Sequence, residues 1–338
     1  MKRFVVLFSV MLMMIVVAGC GSNDDGEASD KKSSGAEIGV TYTTPESGST
    51  HMGMEKFKEL VEEKSDGGVT VELYPNGQLY ASERESIEAT QAGNIEMTVT
   101  ASAPVAGFNP HFMVLDLPFL FPTHEIAYEA LDGELGQQLL DELPEQGLVG
   151  LAYGETGMRQ LSNSKQPIEE PEDLAGMKIR TMENEVHIDA FKEYGANASP
   201  FAFGELYSAL QQNVYDGMEN PLNLIDQMKF YEVQDYLTIS NHAYTATVGF
   251  MNEDFFNGLT EEEQEILKES AKEAMDYQRD IARDQDDEGL EIIKENMEVI
   301  ELSDEQKDDF KEASESVYTK YEDQIGKELI DLARSYTE

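Results

Sequence analysis

Proline disappears from this chain after Pro221, and the stretch that follows constrains the architecture more than any other. Thr260 and Glu263 stand in capping-box spacing. In that motif a hydroxyl and a carboxylate each satisfy a free backbone N–H at a helix start. From there to about Met297 only Gly289 interrupts the helical pattern. A helix over that span would run about 55 Å at ~1.5 Å per residue, against the roughly 30 Å diameter of a small domain. It is expected to lean on two lobes. Ser303 and Gln306 repeat the capping spacing before a final helical region.

The preceding sequence supplies those lobes. "EIGVTYT" and "GGVTVELYP" read as strands, the second closed by a turn at Pro75-Asn76-Gly77. Between them Met54, Phe57, Leu60 and Val61 fall on one helical stripe. Ser82 and Glu85 cap a helix that ends on Gly93, and "NIEMTVT" is again a strand. This alternation predicts a parallel sheet with crossover helices. "DLPFLFPTHE" reads as a buried connection, residues 124–146 as helical, and "GLVGLAYG" as a strand. A second α/β unit follows, with strands at "GMKIRTM", "ANASPF" and "VYDGMENP" and helices between them. The expected fold class is therefore α/β and two-lobed, each lobe a mixed sheet flanked by helices, with a hinge and a long helix spanning both. The expected division places residues 37–157 plus about 245–285 in lobe I, and 158–244 plus about 286–338 in lobe II.

The first nineteen residues are of another kind. Lys2 and Arg3 precede the apolar run "FVVLFSVMLMMIVV" and then "VAGC", the layout of an export signal peptide. Cys20 is the only cysteine of the chain, and "VAGC" resembles a bacterial lipoprotein box, in which that cysteine carries the lipid. Residues 20–36 then form a Gly/Ser/Asp/Lys-rich flexible tether. The expectation is an exported protein, lipid-anchored to the cell membrane and facing the periplasm or the exterior. With no second cysteine, stability must come from core packing.

Acidic residues number 68 against 24 basic ones, for a formal net charge of −44. That argues against nucleic acid as a partner, because phosphate binding rests on lysine and arginine. The five histidines form no H-E-x-x-H pair, and no G-x-S-x-G elbow or phosphate-binding glycine loop is present. No cofactor, metal or catalytic residue is expected. One stretch imitates a calcium loop: Asp284, Asp286, Glu288, Gly289 and Glu295 occupy positions 1, 3, 5, 6 and 12, but Glu291 stands where an apolar residue belongs. In so acidic a chain it reads as a solvated helix face.

Against this excess of carboxylate, Arg180 stands at the end of the strand "KIR", Arg159 just past another strand, and Asn220 past a third. Open α/β sheets bind ligands at such an edge. Arginine holds a carboxylate through two parallel charge-assisted hydrogen bonds. Residue chemistry alone leaves two arrangements open: an anion pocket, or salt bridges on the surface and between lobes.

A resemblance decides between them. The run "GMKIRTMENEVHIDAFKEYGANASPFAFGELYSALQQNVYDGMENP", with "KFYEVQ", "DLPFLF" and "ALDGELGQQLL" in order, is similar to the substrate-binding proteins of TRAP transporters, the dicarboxylate-type family, over roughly residues 37–338. The resemblance implies that Arg180 pairs with a substrate carboxylate and that Arg159 and Asn220 line the same pocket. It implies that Phe203 packs on the ligand, that His242 lies at the cleft, and that His51, Glu83 and Glu183 hold cleft-facing positions whose use varies. The implied partners are a small organic acid and a cation-coupled permease of small and large membrane subunits; a monomer is expected. Met218 stands where glutamine is usual in the family, and Ala101 and Pro104 stand where sialate-binding members carry glutamate and arginine. This leaves C4-dicarboxylates and sugar acids such as uronates. Two other readings stay open: a ligand-sensing receptor feeding a signalling partner, and an anchored enzyme acting on acidic sugars.

Overall fold

A computed structural model describes residues 35–337. The export signal, Cys20 and most of the tether lie outside the described residues. Among the described residues, no helix is long and apolar enough to cross a membrane.

The first sheet grows from β1 (Ala36–Thr41), α1 (Ser49–Lys64), β2 (Val69–Tyr74), α2 (Glu83–Gln91) and β3 (Met97–Ala101). Its first three strands are parallel, as the alternating pattern predicts. The apolar stripe of α1 is buried at Met54, Phe57, Leu60 and Val61; each such side chain contributes roughly 1.5–3 kcal/mol on burial. Short 3₁₀ turns then lead through the buried 110–121 connection to α3 (His124–Asp132) and α4 (Glu134–Asp141). β4 (Leu148–Met158) forms the edge of this sheet.

One residue later β5 (Gln160–Asn163) belongs to the second sheet. That sheet is filled by β6 (Lys178–Thr181), α5 (Glu185–Glu193), β7 (Asn197–Pro200), α6 (Leu206–Gln211), β8 (Gly217–Asn220), α7 (Leu222–Gln227) and β9 (Tyr236–Ile239). β10 (Tyr244–Asn252) returns to the first sheet and inserts antiparallel between β3 and β4. The strand orders are β2-β1-β3-β10-β4 in the first sheet and β11-β9-β5-β8-β6-β7 in the second, where β11 (Glu298–Glu301) follows the long helix. Both sheets are mixed, and the fold is two-lobed.

After α8 (Glu253–Gly258) comes α9 (Glu261–Asn296), 36 residues without a break. Its start is a complete capping box: the Glu263 N–H donates to Thr260 Oγ1 at 3.2 Å and the Thr260 N–H to Glu263 Oε2 at 2.9 Å. Leu267, Ala271, Ala274 and Met275 of α9 join the core of the first sheet, and Ile293 that of the second. Gln278 of α9 also ties α1 to β4. Its Nε2 donates to Ser49 Oγ at 2.8 Å and to the Glu155 carbonyl at 2.7 Å, and its Oε1 accepts the Glu155 N–H at 2.7 Å. Gly53 permits this approach, since a Cβ there would stand 2.7 Å from Gln278 Cβ.

α10 (Asp304–Ile325) and α11 (Lys327–Ser335) close the chain. Phe310 packs with Phe191 and Tyr194 beside the second sheet. Val317, Tyr321, Leu329 and Ile330 instead join a core with Phe112, Leu131 and Leu135. The C-terminal segment, expected in lobe II, therefore lies against both sides.

Candidate functional site

The strand β6 places Arg180. Its pleat sends Ile179 into the core cluster behind the sheet and Arg180 to the opposite face. There the guanidinium lines a cleft together with Arg159, Asn220, Phe203, Met182 and, from the first lobe, Glu83 and Thr100. Arg180 is only 1% exposed. Its Nε donates to the Phe201 carbonyl at 2.8 Å, while Nη1 is buried without a hydrogen-bond partner among the described residues. Burial, with a smaller contribution from Arg159, pushes its pKa down to about 10 against the opposing pull of Glu219 and Glu83. A charged nitrogen left unpaired away from water is costly, and the residue that carries it lines the cleft.

Arg159 is different. It stands between β4 and β5, and β8 brings Glu219 against it. Its Nε donates to Glu219 Oε2, its Nη2 to the Glu219 carbonyl at 2.6 Å and to Asn220 Oδ1 at 3.3 Å, and its Nη1 to Thr245 Oγ1 at 3.3 Å. Burial works against the Glu219 charge, yet the charge and hydrogen bond of Arg159, with a contribution from His187, together hold that carboxyl below its usual range. The pair is fully buried. Arg159 therefore enters the wall as half of a neutral ion pair, and among the described residues Arg180 has no direct ion-pair partner.

Glu83 is the first residue of α2, just after its Ser82 cap. It faces the arginines from the other lobe. Desolvation raises its pKa, Glu183 adds to that rise, and Arg180, Arg159 and the Ala101 amide oppose it. Phe203 is buried, edge-on to Phe230 at 6.3 Å between centroids. Asn220 Nδ2 lies 3.0 Å from Met218 Sδ. Of the eight residues expected at the site, Arg180, Arg159, Asn220, Phe203 and Glu83 come together in the cleft lining.

His51, Glu183 and His242 are not in that lining. His51, on α1, has its Nδ1 2.6 Å from the hydroxyl of Tyr42, just past β1. Glu183 is half-buried one residue past Met182, close enough for its charge to act on Glu83. His242 is buried at the crossing between the sheets, edge-on to Phe191, with Nδ1 2.8 Å from Ser240 Oγ. Burial pushes its pKa down to about 3, so the imidazole is neutral.

Sequence reasoning missed Glu219 and the threonines of the wall, which include Thr44, Thr50, Thr100, Thr156 and Thr247. Glu219 adjoins Asn220, and a buried arginine needs a counter-charge; that was the available signal. The calcium-like stretch lies inside α9, where Asp286 Oδ1 accepts the Asn223 N–H at 2.8 Å. Among the described residues no group of three or more His, Cys, Asp or Glu side chains is placed to hold a metal ion.

The family model for bacterial extracellular solute-binding protein, family 7, matches residues 40–324. The chain belongs to this family. Among relatives of this solute-binding protein, the C4-dicarboxylate-binding protein DctB of Bacillus subtilis is 38% identical over 277 residues, 81% of this chain and 79% of that one. Two solved structures superpose closely. A TRAP periplasmic solute-binding protein of Sulfurospirillum deleyianum with bound succinate gives a TM-score of 0.85 at 36% identity, covering 89% of this chain and 99% of the other. The sugar-acid-binding protein DctPAm of Advenella mimigardefordensis, in complex with galactonate, gives 0.85 at 37% identity, covering 89% and 98%. The solute-binding protein is thus a TRAP solute receptor. Receptors of this kind are extracytoplasmic, bind small organic acids and work with TRAP permeases.

Proposed function

We propose that this receptor captures its acid by seating one carboxylate on Arg180. The observation that carries the reading is the buried guanidinium with an unpartnered Nη1 on the cleft wall. A carboxylate arriving there accepts charge-assisted hydrogen bonds and removes the penalty of the unpaired donor. Asn220 and the paired Arg159 border the carboxylate, and Phe203 packs on its carbon skeleton. Glu83 and the β1–α1 threonines come from the opposite lobe, so a ligand between them favours the conformation in which both walls touch it. His51, Glu183 and His242 act in this reading as supports around the cleft rather than as ligand contacts.

The closed receptor, a monomer, then delivers the acid to the small and large membrane subunits of a cation-coupled permease. Lipid attachment at Cys20 keeps it near that permease and raises its effective concentration there. No chemical step is assigned to the cleft. The test is a thermal-shift and calorimetric screen of the purified receptor against short dicarboxylates, aldonates, uronates and keto acids. A bound acid at ~100 times its Kd stabilises the fold by about 2.7 kcal/mol. A screen in which no organic acid shifts the transition refutes the reading.

A further inference from the structure

The wall chemistry distinguishes between the two classes of acid, and the distinction rests on the Arg180 reading above. Arg159 and Arg180 are the only bases lining the cleft among the described residues. The charge of Arg159 is already matched by Glu219, which is fully buried against it. A first carboxylate on Arg180 leaves the cleft with no cation for a second one. What the cleft offers beyond Arg180 is a carboxylate, Glu83, with Glu183 behind it. It also offers a set of hydroxyls. Among the described residues Thr44 Oγ1 and Thr100 Oγ1 are buried without a hydrogen-bond partner, and Thr156 Oγ1 and Thr247 Oγ1 lie 3.0 Å apart.

A second ligand carboxylate would face Glu83 as a like charge in a site shielded from water, which disfavours one of the two ionised forms. A ligand hydroxyl does the reverse. It donates to Glu83, and it gives the buried threonine oxygens the partners they lack.

We propose that this cleft selects a polyhydroxylated monocarboxylic acid, of the aldonate or uronate class, over a C4-dicarboxylate, with its carboxylate on Arg180 and its hydroxyls on Glu83, Thr44 and Thr100. Glu83 is then the specificity-determining residue: it accepts from the sugar-acid hydroxyls and repels the distal carboxylate of a diacid.

Calorimetry on the intact receptor and on Glu83→Gln, with D-galacturonate, galactonate and D-erythronate against succinate, tests this. The receptor is expected to bind at least one hydroxy acid on the order of 100-fold more tightly than succinate. In Glu83→Gln that preference should shrink by about tenfold or more, as the hydroxy acid weakens and succinate strengthens. Thr100→Val supplies a second variant should the first not fold; it should weaken the hydroxy acid by a larger factor than it changes succinate, and an equal effect on both overturns the inference. Succinate binding more tightly than every hydroxy acid, or a preference that Glu83→Gln leaves intact, overturns the inference. If succinate binding is also lost on Arg180→Met, the Arg180 seat stands and only the selectivity argument falls. Binding of no acid removes both.

Discussion

Arg180→Met separates the cost of the unliganded cleft from its use. Burial pushes the guanidinium's pKa down to about 10 on folding, a cost of roughly 3 kcal/mol at ~1.4 kcal/mol per tenfold. The sign follows from the direction: the charged form is less favourable folded than unfolded, so the penalty is present at every pH below about 10. Methionine removes the charge and keeps most of the volume, a replacement that is often neutral or stabilising. Against this, the Phe201 carbonyl loses its 2.8 Å donor, which costs about 1–3 kcal/mol. The net expectation is a gain of about 1 kcal/mol for the unliganded protein, or roughly 2 °C in Tm for a chain of this size. Binding should fall by 2–5 kcal/mol, about 30- to 5,000-fold. The two proteins should therefore change places: Arg180→Met melts later without acid, and wild type melts later with saturating acid. Differential scanning calorimetry with and without the best-binding acid reads both. If Arg180→Met were less stable without acid and still gained as much from it as wild type does, the reasoning about a charge held ready for the ligand would be wrong.

Two further substitutions probe the frame around that charge. Glu219→Gln strands Arg159 in the wall as a buried unpaired cation, so urea unfolding should show a loss of about 3–5 kcal/mol; a loss under ~1 kcal/mol contradicts the buried pair. Asp286 carries a pKa that burial, aided by Glu155 and Asp287 and opposed by the Asn223 N–H and Arg283, raises from 3.8 to about 8. The unfolded chain ionises this group near pH 4 and the folded one near pH 8, so stability is full below that window, falls across it and levels off above it. Asp286→Asn keeps an oxygen for the Asn223 N–H without the titration. It should flatten the profile and exceed wild type by several kcal/mol at pH 8; parallel profiles for the two proteins would refute the assignment.

What the sequence disclosed was chemistry carried by near neighbours. The start of α9 was readable because Thr260 and Glu263 satisfy each other three residues apart. The edge position of Arg180 was readable because a strand and a loop meet there. β5 and β11 were not visible: "QLSN" has little strand character and "EVIE" offers only two strand-forming residues beyond a long helix, and both pair with β8 or β9. Glu219 was hidden by abundance, since one acid among 68 gives no contrast. The hydroxyls of the wall were hidden by distance, because Thr44, Thr100 and Thr247 come from three separate segments that only the topology assembles. His242 could be placed near the cleft by its motif, but the ring of Phe191 that buries it lies fifty-one positions away in sequence.

Met158 ends one sheet and Gln160 opens the other, with Arg159 alone between them. Beside that crossing runs the return path of residues 240–243, tied to it where the Arg159 N–H meets the Ala243 carbonyl at 2.8 Å. Gly157, at φ +131°, completes the joint, since a Cβ there would stand 3.0 Å from Pro221. At this crossing the residue that joins the two sheets also lines the cleft, so a rotation of one lobe on the other about the joint would carry that part of the wall with it.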